Sequence, residues 1–281
     1  MPAGRCRGAA VNAMTHSDPV IVAVDAGIAT LTLNRPQSLN ALSVGMMQAL
    51  RLAAERVVAD PAVRVIVVAG AGEHFMAGGD INDFHAHLSL DPPARLQAFQ
   101  AMIEQYINPT MLALRHAHQP VIAAVRGACA GFGMSLMLAS DLALAADNAY
   151  FTTAYAWLAL SPDGGGTYFL PRIVGARKAA ELMLLAERLN AEQALALGLV
   201  NRVVPLADVE RETALLARKL ANGPRHALGE IKRLLNATHE RTLADQLAAE
   251  AESFARCSAT RDFAEAVRVF VDKTTPRFTG K

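Results

Sequence analysis

The sequence predicts an α/β protein closed by an all-helical tail, and three observations carry that prediction. Short aliphatic runs of strand length alternate with longer stretches of helical apolar spacing to about residue 205. From Asp208 to about Val271 the chain is rich in Ala, Leu, Glu and Arg, a helical composition interrupted at Asn222-Gly223-Pro224. Hydrophobic residues make up 52% of 281, enough for a substantial core, while aromatics at 5% require that core to be aliphatic. The expected organisation is a disordered extension over 1–16, an α/β core over 17–207 and a helical region over 208–281.

Taken in order, Val20–Val24 and Ala29–Leu33 flank Asp25-Ala26-Gly27 and read as a hairpin. Asn34-Arg35-Pro36-Gln37 is a turn. Ser43 caps a helix whose apolar positions are Met46, Met47, Leu50, Ala54 and Val57, and Asp60-Pro61 stops it. Val63–Ala69 is a buried strand. Arg95–Leu114 reads as one helix, Pro120–Val125 as a strand, Gly127–Gly133 as a loop and Met134–Ala139 as a helix. Leu142–Ala145 and Tyr150–Thr152 are short strands. Gly164–Gly166 opens into a helical stretch from Arg172 through Leu185, and Leu199–Val204 is a last strand ended by Pro205.

Several classes are disfavoured. Lys and Arg number 27 against 26 Asp and Glu, a balance unlike that of a phosphate-binding nucleic-acid protein. No apolar run reaches the roughly 20 residues of a membrane span, and Met1 to Ala13 lack the apolar stretch of a secretory signal. The three cysteines, Cys6, Cys129 and Cys257, are far apart and form no zinc or disulfide pattern, which fits a reducing cytoplasm. His85/His87 and His116/His118 are spaced i,i+2, so on a helix their side chains diverge and no metal site is expected.

Three glycine loops are candidate ligand cradles. Gly70-Ala71-Gly72 fails the dinucleotide fingerprint, because Phe75 stands where its third glycine belongs. Gly127-Ala128-Cys129-Ala130-Gly131-Phe132-Gly133 runs into an apolar helix; it suits either an anion at the helix start or close backbone packing. In Ser161-Pro162-Asp163-Gly164-Gly165-Gly166-Thr167, Asp163 taken alone reads as a turn or cap carboxylate.

Together the segments resemble the crotonase superfamily, the enoyl-CoA hydratase/isomerase group. The resemblance rests on Leu33-Asn34-Arg35-Pro36 with Asn40-Ala41-Leu42, on Phe75-Met76-Ala77-Gly78-Gly79-Asp80-Ile81, and on Pro120 to Gly127. Gly131–Gly133 with Ala139-Ser140-Asp141, Pro162-Asp163-Gly164-Gly165, Leu170 to Gly175, and Ala194 through Val200 extend it over about residues 18 to 275. The resemblance implies a spiral of ββα units, a C-terminal helical trimerisation region (trimer or dimer of trimers), and a coenzyme A thioester as substrate with no permanently bound cofactor. It implies that the Gly79 and Phe132 N–H groups hold the thioester oxygen and stabilise an enolate. It places Ala77, Gly79, Asp80, Ile81 and Asn82 along coenzyme A, and Phe270 and Lys273 near the adenine and 3′-phosphate, often of a neighbouring subunit. Many relatives carry a basic residue at Asn82.

The reaction is narrowed by absences. The two glutamates that activate water in the family's hydratases match Ser135 and Tyr155 here, so simple hydration lacks its acid–base pair. Asp163 matches the carboxylate of the branch containing ring-1,2-epoxyphenylacetyl-CoA isomerase-like enzymes, as does Tyr106-Ile107-Asn108-Pro109. The expected activity is double-bond or ring isomerisation with Asp163 as acid and base, and with Ser135, Tyr155 and Asn108 along the substrate pocket. The alternatives are hydration at a non-standard site, hydrolysis like that of the 4-chlorobenzoyl-CoA dehalogenases, whose histidine and tryptophan positions hold Asn108 and Tyr155 here, and binding of CoA esters with little catalysis. A serine hydrolase is disfavoured because Gly133-Met134-Ser135-Leu136-Met137 is not GxSxG.

Overall fold

In the computed structural model, which describes residues 18–280, the chain first reverses at Ala26-Gly27. Their φ values of 46° and 79° give the left-handed two-residue turn that matches strand twist. It joins β1 (Val20–Asp25) antiparallel to β2 (Ile28–Leu33), with Val20 opposite Leu33. The extension expected over 1–16 lies outside the described residues. α1 (Val44–Ala59) starts where Ser43 Oγ accepts from the Met46 N–H. Asp83 Oδ2 accepts from the Val44 N–H, so two of the helix's free donors are satisfied. β3 (Val65–Gly70) follows, as its aliphatic run predicts.

The stretch between β3 and β4 differs from the expectation. α2 (Ile81–His87) is a helix that the sequence reading left unassigned. The helix expected over 95–114 is α3 (Pro92–Met102) and α4 (Asn108–His116), joined by one π-helical segment at Ile103–Ile107. Pro109 is the reason: it has no N–H to return to the preceding turn. The Gln105 carbonyl instead accepts from Arg51 Nη1 at 2.8 Å, while the Asn108 N–H reaches back to Ile103.

β4 (Val121–Val125) leads to β5 (Ala128–Ala130), a strand inside what reads as a loop. α5 (Phe132–Ala139) begins at Phe132, two residues before the expected start, and all its residues are buried, as an all-round apolar helix must be. β6 (Leu142–Ala146) and β7 (Tyr150–Thr152) follow. α6 (Gly166–Val174) carries Pro171 inside it, and Gly175, at φ 81°, separates it from α7 (Ala176–Leu185). The internal proline hid the first half of this pair from the sequence reading. β8 (Leu189–Asn190) and α8 (Ala191–Ala196) were also unassigned; β9 (Arg202–Val204) is the last strand. The tail is α9 (Val209–Ala221), α10 (Arg225–Ala237), α11 (Leu243–Ser258) and α12 (Arg261–Asp272).

The strands form a six-stranded sheet in the order β1-β2-β3-β4-β6-β9 and a three-stranded sheet in the order β5-β7-β8. From β2 to β9 the large sheet is parallel. In the successive units β4-β5-α5 and β6-β7-α6, the first strand enters the large sheet and the second the small one. An isolated Met76–Cys129 bridge adds the equivalent second strand of the β3 unit. This is the expected ββα spiral. The large sheet is buried on both faces: Leu31, Ile66, Val68 and Ala123 face the main core with α1, while Val65, Val67, Ile122 and Leu144 pack against α9. That double burial is why its strands read as unbroken aliphatic runs.

One buried cation pins the tail. Lys232 of α10 donates to the Leu114 and Gln119 carbonyls at 3.0 Å each and pairs with Asp141 at 2.8 Å. A buried ammonium needs such full pairing, and here it joins α10 to the end of α4.

Candidate active site

Two glycine turns bring two strand ends together. Gly78 and Gly131 have φ values of 96° and 53°. A Cβ on Gly131 would lie 3.2 Å from Gly78 Cα, so only bare backbone permits this approach. The residues that follow, Gly79 and Phe132, present N–H groups that meet no protein acceptor among the described residues. Phe132 is the first residue of α5, where free N–H groups and the helix dipole both favour negative charge.

Both N–H groups border a cavity of about 250 Å³. Its walls are largely apolar: Ile81 and Phe84 from α2, Phe99 and Met102 from α3, and Ile103 and Ile107 from the π-helical segment. Phe84 and Phe99 stack in a tilted pair with ring centroids 5.3 Å apart. Ile103 and Ile107, at the two ends of the π-helical segment, line the same cavity as Met102.

Asp163 and Tyr155 supply the polar wall. Tyr155 Oη donates to Asp163 Oδ1 at 2.6 Å. Ser135 Oγ, from buried α5, donates to the Asp163 carbonyl at 2.9 Å and lies 3.3 Å from Tyr155 Oη. Burial pushes the Asp163 carboxyl above the usual carboxylate range, and the Tyr155 hydrogen bond only partly opposes it. Burial, and then the neighbouring carboxylate, also push the Tyr155 phenol up. The loop must run close to α5: a Cβ on Gly164 would meet the Phe132 ring at 2.9 Å, and one on Gly166 would meet Ser135 Oγ at 2.9 Å.

The remaining candidates scatter. Ala77, Gly79 and Ile81 line the cavity. The Asp80 side chain turns away to Arg35, at 2.7 Å, and caps α2 through the Asn82 N–H at 2.9 Å. Burial alone would raise the Asp80 carboxyl, but Arg35 and the Asn82 N–H together hold it below its ordinary value. The Asn82 side chain is exposed. Asn108 does not line this cavity; it borders a larger one, about 770 Å³, between α4, α6 and α10. Phe270, 86% exposed, and Lys273, just beyond α12, do not border this chain's cavity. The sequence reading missed the Tyr155–Asp163 pair and the Asp80–Arg35 pair. Both join residues brought together by the folding of loops, and no local spacing encodes that. Among the described residues no three His, Cys, Asp or Glu side chains cluster as a metal requires, and no helix is long and apolar enough to cross a membrane.

A spiral with two free N–H groups over an apolar cavity defines a class, and comparison with known proteins identifies it. The family model for enoyl-CoA hydratase/isomerase matches residues 23–281, and the chain belongs to that family. It is 38% identical over 261 residues to the 1,2-epoxyphenylacetyl-CoA isomerase of Escherichia coli K12, covering 92% of this chain and 97% of that protein. It is 38% identical to a probable enoyl-CoA hydratase of Rhodobacter capsulatus, covering 92% and 96%. A crystal structure of a putative enoyl-CoA hydratase/isomerase from Mycobacterium abscessus superposes with a TM-score of 0.89 at 35% identity, over 93% of this chain and all of that one. The chain is therefore an acyl-CoA enzyme of the hydratase/isomerase type.

Proposed function

We propose that this enzyme isomerises an acyl-CoA thioester, moving a double bond or rearranging a ring, with Asp163 as the acid and base. The observation that carries this reading is that Asp163 is the one carboxylate among the described residues lining the cavity. Hydration needs one group for water and another for the proton at C2. Isomerisation needs a single group that takes a proton from one carbon and returns it to another.

In this reading the thioester oxygen sits between the Gly79 and Phe132 N–H groups. Asp163 removes a proton from C4 or C2 of the acyl chain, and the electron pair of the broken C–H bond enters a conjugated enolate whose charge reaches that oxygen. The carboxyl then gives the proton back at the other carbon, so atoms and charge balance with no co-reactant. A carboxylate raised by burial is a stronger base than one in water. Coenzyme A runs along Ala77 to Asn82, with Phe270 and Lys273 reaching a neighbouring subunit of a trimer or dimer of trimers. The apolar walls suit a hydrocarbon or aromatic acyl group, and the setting is cytoplasmic.

A panel of CoA thioesters followed by mass spectrometry tests the reaction, because isomerisation conserves mass whereas hydration adds water and dehalogenation loses halide. Asp163→Asn is expected to lower turnover by about 10²- to 10⁴-fold while leaving CoA-ester binding intact. Unchanged turnover in that variant overturns the assignment, and products heavier by one water overturn the isomerase reading.

A further inference from the structure

We infer that Tyr155 is a positioning residue that holds Oδ1 of Asp163 and thereby fixes Oδ2 as the oxygen that carries the substrate proton. The inference rests on the proposed role of Asp163 and deepens it.

The hydrogen-bond inventory of the three side chains leads there. Oδ1 accepts the short 2.6 Å bond from Tyr155. Oδ2 accepts no side-chain hydrogen bond among the described residues, and it is not one of the unpartnered polar atoms sealed from solvent. The backbone of the same residue is fixed independently, because Ser135 Oγ donates to the Asp163 carbonyl at 2.9 Å. Ser135 and Tyr155 each own one hydroxyl proton, and those two protons serve the two contacts with Asp163. The remaining Ser135–Tyr155 contact, at 3.3 Å, is the longest of the three, as expected for one with no proton left when Asp163 is ionised. Main chain and carboxylate are thus held at two points, leaving one oxygen for chemistry.

The arrangement also answers an electrostatic problem. The walls facing Asp163 bring no cation to it: α1 contributes Met47, α2 Ile81 and Phe84, α3 Phe99 and Met102, α5 Phe132 and Ser135. Asp163 and Tyr155 are the titratable side chains on the cavity wall, and Arg35 is already engaged by Asp80. A carboxylate so enclosed is driven towards its neutral, non-basic form. The Tyr155 phenol opposes this without adding a positive charge, because it donates a hydrogen bond to the ionised carboxylate. The phenol itself is held protonated, so it remains a donor throughout the cycle.

The step assigned to Oδ2 is a proton transfer only. The substrate C–H bond breaks and its electron pair enters the enolate while an O–H bond forms at Oδ2. That bond then breaks as the proton is delivered to the second carbon. Oδ1 accepts from Tyr155 before and after.

The test is the pH profile of kcat/KM for Tyr155→Phe and Asp163→Asn beside the wild type, using the thioester that the panel identifies as substrate. In Tyr155→Phe the acidic limb is expected to move up by about one pH unit, the scale of a lost charge-assisted hydrogen bond. Turnover at the high-pH plateau also falls, because Oδ1 of Asp163 is no longer held. An acidic limb that superposes on that of the wild type, with or without a loss at the plateau, overturns the role given to Tyr155 while leaving Asp163 in place. Full turnover in Asp163→Asn overturns the underlying reading instead. Phenylalanine fills the same space, so a folded Tyr155→Phe protein is expected, with its circular dichroism and melting curve as controls.

Discussion

Asp80, buried directly after the cavity-lining Gly79, and Asp163, half-buried on the cavity wall, are both acidic residues in glycine-rich loops of the sequence. Asp80 is matched by Arg35 at 2.7 Å and caps α2, and its carboxyl lies below the ordinary range. Asp163 meets a phenol and a hydrocarbon wall, and its carboxyl lies above it. One charge is neutralised and serves the fold. The other is left without a counter-ion on the cavity wall. A buried carboxylate with its charge matched is structural; one left unmatched and facing a cavity is a candidate for chemistry.

The largest expected effect comes from exchanging the two losses. Asp163→Asn, besides losing turnover, is expected to raise the melting temperature at neutral pH, because it removes a desolvated charge. The folded pKa of Asp163 lies above its unfolded value, taken as 3.8. Its contribution to stability is therefore fully present below that value and is lost as pH rises through the folded pKa. The gain from asparagine should accordingly appear above that window and vanish in acid. Denaturant melts across pH check this; a variant less stable than wild type at neutral pH breaks the comparison.

Asp80→Ala is expected to do the reverse. It removes the α2 cap and the partner of Arg35, costing about 1–2 kcal/mol at neutral pH. Because the folded pKa of Asp80 is depressed, its contribution is present above the unfolded value of 3.8 and disappears as pH falls through the folded value. The stability difference between Asp80→Ala and wild type should therefore shrink in acid, where the Asp163→Asn difference also vanishes. Melts in which that gap stayed constant from neutral to strongly acidic pH would detach the effect from the carboxylate charge.

The sequence revealed the repeating frame more readily than the contacts across it. Aliphatic runs such as Val121–Val125 announce a strand buried on both faces, and Ser43 announces a helix start through its own hydroxyl. These signals are local. The failures are of two kinds. Pro171 lies within α6, where proline argues against continuation, whereas the sequence reads as one helix straight through Pro109, which the chain accommodates with the π-helical segment. The short strand β5 and helix α2 are too brief for a hydrophobic period to register. In the site, Asp163 was legible through its resemblance, but its partner was not. Tyr155 stands eight residues earlier, across the left-handed turn at Ala159, and no spacing in the sequence announces that the loop folds back there.

The smallest effect concerns the exposed neighbour of Asp80. The Asn82 side chain makes no hydrogen bond among the described residues; only its N–H is used, by the Asp80 cap. Asn82→Lys puts a cation in the first turn of α2, where the helix dipole opposes it at about 0.3–1 kcal/mol. Beside a cofactor phosphate the same cation adds a favourable contact that salt weakens. The expected outcome is a slightly lower melting temperature together with a few-fold lower KM for the CoA thioester, kcat unchanged, with the KM gain lost in high salt. The opposite signs follow from the geometry of the comparison: Arg35 already matches Asp80, which is therefore not free to hold the new lysine. A raised melting temperature with KM unchanged would mean that the lysine finds Asp80 after all, and that the charge at this side of the cavity is not closed.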